Sequence, residues 1–205
     1  ALLIAGWVII GRQAALWMLA LVLLNLSLML YWSQVLEGVG MIGAVLGPLA
    51  GLGMTLADAR LGAWVFLLNT TALVIWEVCA ARGIAGTEGR WFPRVAAIGA
   101  LVPVVAGSWV FIMGVSLDVG WAPFADMLLL LGFIGGCFWY YRSHVRDLLI
   151  LTLCVASVIV LVTSYFGRVM EFDDDTAILL AILLVAQTAG AAILLRNIHR
   201  SWQSK

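Results

Sequence analysis

The chain has 205 residues, of which 64% are hydrophobic and 11% charged, and its net charge is zero. Soluble domains are about half apolar and about a quarter charged, so this sequence has too few polar residues to clothe a water-facing surface. Mean hydropathy is +1.11, and the balanced charge leaves no basic footprint for nucleic acid; the composition is that of an integral membrane protein.

The first segment, ALLIAGWVII (1–10), is apolar but shorter than the roughly 20 residues a helix needs to cross a bilayer. It has neither the basic start nor the small-residue cleavage site of a signal peptide. It is expected to be the second half of a span, and the chain the C-terminal part of a longer one. Full spans are then expected at 14–32, 38–57, 61–81, 95–117, 122–141, 148–166 and 176–195. Each is the length the hydrocarbon core asks of a helix, and none alternates as a barrel strand would. The expectation is one all-α domain over 1–205: a polytopic transmembrane helical bundle of seven full spans plus an N-terminal partial span.

Arginines and lysines of short loops set orientation, since they favour the cytoplasmic side. Arg82, Arg90 and Arg94 fall in one loop, Arg142 and Arg146 in another, and Arg196, Arg200 and Lys205 in the tail. The alternate loops hold acids, or Arg168 among Glu171, Asp173, Asp174 and Asp175. This predicts a bacterial inner-membrane protein with a cytoplasmic C-terminus. Arg12 and Arg60 fit less well, and an incomplete crossing by 38–57 would relieve them. That segment holds Gly43, Gly47, Gly51 and Pro48. Small residues four apart open a groove for a second helix, and a proline among them removes an amide donor. A packing groove is the plainer reading; a hinge beside a transport path is the sharper one. Gly99, Pro103 and Gly107 repeat the pattern in span 95–117.

LLNLSLMLYW (23–32) is echoed by LLNTTALVIW (67–76), a shift of 44 residues for both Asn25/Asn69 and Trp32/Trp76. Two helices fit that period, so a repeated hairpin is expected within 1–81. Within each copy the Asn and Trp are two helical turns apart, about 10.5 Å. With tryptophan favouring the membrane interface, each asparagine falls near mid-span. There it either bonds another helix, Asn25 to Asn69, or lines a cavity. Glu77 is expected to snorkel or to pair with Arg82, with a functional role in packing or a solute path as the alternative, and Asp126 to lie near the outer end of its span.

His144 and His199 fall in expected loops, so an intramembrane histidine ligand is missing. Cys79, Cys137 and Cys154 lack metal-site spacing. No serine–histidine–acid set or phosphate-binding loop can be assembled. The expectation is therefore no catalysis and no cofactor.

YYRSHVRDLLILTL (140–153), LLRNIHRSW (194–202) and the IWE ending of the second asparagine helix resemble uncharacterised bacterial polytopic inner-membrane protein families. That resemblance implies a helical bundle and transfers no active site. A narrower likeness, RLGAWVFLL (60–68), is similar to the first helices of the third subunit of haem–copper oxidases, whose intramembrane acid and histidine features have no counterpart here. Two functional readings follow. The first is a scaffold or accessory subunit that binds membrane lipids and other membrane-protein subunits, or itself. The second is a channel or transporter for a neutral or lipidic solute, with Asn25, Asn69, Pro48 and Pro103 along its path.

Overall fold

The computed structural model describes residues 14–32, 59–84, 86–87, 89–114, 122–170 and 174–203. The expected spans 1–10 and 38–57, with Gly43, Gly47, Pro48 and Gly51, lie outside the described residues. Among those described there are helices and no strands. They are α1 (Ala14–Tyr31), α2 (Ala59–Ala81), α3 (Trp91–Met113), α4 (Ala122–Tyr140), a π-helical segment (Tyr141–Val145), α5 (Leu148–Val169) and α6 (Asp174–Gln203). Only a helix satisfies every backbone group of a lone apolar run in lipid. Among the described residues five stretches are long and apolar enough to cross a membrane: Leu61–Ala81, Trp91–Met113, Phe124–Val145, Leu148–Val169 and Ala177–Gln203. The fold is that of a multi-pass membrane protein.

Cap chemistry, rather than hydropathy, sets the helix ends. After α2, the Gly83 amide donates to Ala80 O and the Ile84 amide to Cys79 O, with Gly83 at φ +68°. This is a paired C-terminal cap that needs a residue able to hold positive φ. Gly114, at φ +64°, closes α3 three residues before the expected end of that span at 117. At its other end α3 begins at Trp91, four residues before the expected start. Asp147 caps α5, its side chain accepting from the Leu149 amide at 3.1 Å. α6 continues to Gln203, eight residues past the apolar run that marked its expected end at 195. The two histidines expected in loops are helical: His144 in the π segment and His199 on α6.

The chain divides into two compact units at Ala106/Gly107, inside α3. In the first unit, Leu61, Val65, Asn69, Leu73 and Trp76 are buried, a single stripe of α2 at helical spacing. Ala96, Ala97, Ala100 and Val104 of α3 are completely buried. Such small side chains let backbones approach, which matters where lipid removes the hydrophobic drive and association rests on close packing. In the second unit, α4 buries Asp126, Leu130, Phe133 and Cys137, and α5 buries Ile150, Leu151, Cys154, Ser157 and Leu161. α6 packs against α5.

Candidate functional site: the paired asparagines

Asn69 is the eleventh of the 23 residues of α2 and Asn25 the twelfth of the 18 of α1. Their carboxamides face each other in a reciprocal ring. Asn69 Nδ2 donates to Asn25 Oδ1 at 2.7 Å, and Asn25 Nδ2 donates to Asn69 Oδ1 at 3.2 Å. The second amide hydrogen of each returns to its own helix, one turn back: Asn69 to Val65 O and Asn25 to Leu21 O, both at 2.8 Å. A carboxamide has two donors, so every N–H of the pair is used inside the protein. Asn69 is 1% exposed, while Asn25 is half-buried. An unmade bond here would leave a polar group facing hydrocarbon, which is why the two residues come as a pair.

A third helix closes on this ring. A Cβ added to Gly99 of α3 would lie 2.5 Å from Asn69 Oδ1 and 2.8 Å from its carboxamide carbon. Gly99 is thus the position where α3 passes over the asparagine, and no larger residue fits without displacing it. Pro103, buried inside α3, sits four residues on and supplies no amide hydrogen to the Gly99 carbonyl. Pro103 therefore belongs to the packed interior of the helix junction.

One end of the same unit carries the ionisable pair. Glu77, 7% exposed, accepts from Arg90 Nη1 at 3.0 and 3.3 Å. The expected partner was Arg82. The cap at Gly83 ends α2 and turns the chain away, and Arg90, at the mouth of α3, is the arginine brought back over the carboxylate. Beside it Trp76 is 3% exposed, stacked on Phe92 with centroids 4.3 Å apart and edge-on to Trp17 at 6.3 Å. Expected at the lipid interface, Trp76 instead packs the α2–α3 hairpin internally.

In the second unit Asp126 is 1% exposed on the inward stripe of α4. Its carboxylate occupies the space over Gly107 that a Cβ would fill. The expectation placed it near the outer end of its span, and it is the fifth residue of α4; its burial against α3 was not anticipated. Arg168 reaches from α5 to the carbonyls of Phe111 and Ile112, the last of α3. There a cation joins the Gly114 amide on the Phe111 carbonyl and opposes the helix dipole. Cys137 and Cys154 are both buried free thiols. Among the described residues no group of three or more His, Cys, Asp or Glu is placed to hold a metal ion.

The structure thus joins Asn25 and Asn69, adds Gly99, and places Glu77 apart with Arg90. The small residue at 99 was visible in the sequence, but its target was not, since nothing in a local pattern says which helix crosses at that point. No protein family model, curated protein or solved structure matches this chain.

Proposed function

We propose that the chain is a bacterial inner-membrane protein that works by binding other membrane proteins, as a scaffold or accessory subunit without catalysis of its own. In this reading it has seven full spans and a partial one, with the C-terminal tail in the cytoplasm. The arginine distribution supports that orientation. The observation that carries the functional reading is the closed carboxamide ring. A solute path offers amide donors and acceptors to what passes; here all four N–H groups of Asn25 and Asn69 are engaged within the protein. The apolar stretch of α6 adds support, because none of its 18-residue apolar window is buried among the described residues and that surface is open to lipid or to another protein.

The test is the double substitution Asn25→Ala with Asn69→Ala. The scaffold reading expects loss of folding or assembly, read as reduced accumulation and a lower unfolding midpoint in detergent. An intact, equally stable protein with altered solute flux in vesicles would instead establish the transport reading.

A further inference from the structure

The α4–α5 connection and the end of α6 form one basic and aromatic collar. Trp202 Nε1 donates to Arg142 O at 3.0 Å, and Arg146 Nη1 donates to Trp202 O at 3.4 Å. These two bonds fix the tail of α6 to the π-helical segment. Four arginines, Arg142, Arg146, Arg196 and Arg200, are thereby held at one end of the second unit, and all four are exposed. Asp147, the acid within this segment, is 5% exposed and engaged as the cap of α5. The side chains of Arg142, Arg196 and Arg200 have no hydrogen bond or ion pair among the described residues.

This is an unbalanced arrangement. Arg196 and Arg200 are spaced i, i+4 on α6, where like charges repel, and Arg142 on the π-helical segment with Arg146 at its left-handed C-cap makes a second pair of like charges. A multivalent anion from outside the chain would relieve both pairs. Depth identifies it. α6 runs eight residues past the apolar run that ends at Leu195, about 12 Å at helical rise. Arg196 and Arg200 stand about 1.5 and 7.5 Å along that rise, within the roughly 5–8 Å of one headgroup layer rather than in the hydrocarbon core. Trp139, 68% exposed, and Trp202 supply the amphipathic rings typical of that layer.

We propose that this collar is a binding surface for the phosphate headgroups of anionic phospholipids. The guanidinium forks of Arg142, Arg146, Arg196 and Arg200 take the phosphate oxygens, and Trp139 of α4, on the apolar side of Arg142, lies against the upper acyl chain. The proposal rests on the membrane reading and is independent of which protein the chain binds.

The test is native mass spectrometry of the full chain in mild detergent, titrated with dioleoyl phosphatidylglycerol or dioleoyl phosphatidylcholine. The two probes share acyl chains and differ in net charge. With each basic residue worth about fivefold near an anionic surface, the wild type is expected to retain phosphatidylglycerol at least about tenfold better. Arg196→Gln with Arg200→Gln is expected to cut that preference at least about fivefold. Among the described residues these two side chains hold nothing, so the variant is expected to keep its structure. Arg142→Gln with Arg146→Gln should do the same independently. Equal retention of the two lipids by the wild type would overturn the proposal, as would an unchanged preference in both double variants. Displacement of phosphatidylglycerol by inorganic phosphate at equal concentration would also overturn it, by assigning the collar to free anions.

Discussion

A single carboxamide in lipid is a liability, and two facing each other are a bond. Removing either asparagine strands donors on the other, so the two single losses should not add. We expect Asn25→Ala and Asn69→Ala to show a coupling of about 0.6–2 kcal/mol in a double-mutant cycle of detergent unfolding. The Asn69 loss should be the larger, because Asn69 is the more buried. Purely additive losses would mean that the ring does not form. Gly99 makes a sharper case. A methyl there would collide with Asn69 Oδ1 at 2.5 Å, so Gly99→Ala should lower stability by about 1–3 kcal/mol through overpacking. Gly132, where an added Cβ meets nothing within 4 Å, is the control. Gly132→Ala should be neutral or gain up to about 1 kcal/mol from helix propensity. Unfolding midpoints of the two variants check this, and equal effects would contradict the close approach of α3.

Among the elements, the α2–α3 hairpin depends on three things acting together: the cap at Gly83, the Trp76–Phe92 stack and the Glu77–Arg90 pair. Arg90 is 35% exposed in its side chain and Glu77 8%, so the pair is neither fully screened nor fully buried. Arg90→Gln leaves the more buried carboxylate without this cation, and should destabilise by about 1–2 kcal/mol. Arg82→Gln, two turns closer in sequence, should stay within about 0.5 kcal/mol. A salt titration of both unfolding midpoints checks the assignment, and a larger effect at Arg82 would reverse it. The existence of these helices was legible from apolar runs alone, because lipid forbids any other single-segment solution. So were several ends, since α1, α4 and α5 begin and α2 ends where expected; the ends of α3 and α6 were not. Hydropathy stops where charge begins, whereas the backbone stops at a cap, so α6 ran past Leu195 through Arg196, His199 and Arg200, and α3 closed early at Gly114. The partner of Glu77 was hidden for a related reason: sequence distance favoured Arg82, and the geometry of the turn chose Arg90.

Over the whole molecule, the Asn25–Asn69 ring and the Glu77–Arg90 pair are closed within the fold, and the apolar face of α6 is open. The sequence made the Asn25–Asn69 contact legible, because two amides repeated at the same place in two apolar helices have few other ways to be satisfied. It gave no sign of the burial of Asp126 over Gly107, since that depends on which helix passes α4. On the proposed function, this surface holds another membrane protein. The most direct test is the mass of the particle extracted from native membranes in mild detergent through a tag on the C-terminal tail. The scaffold reading expects a complex of this protein with a distinct partner in fixed stoichiometry. A lone monomer, or an assembly of this chain alone, would contradict it.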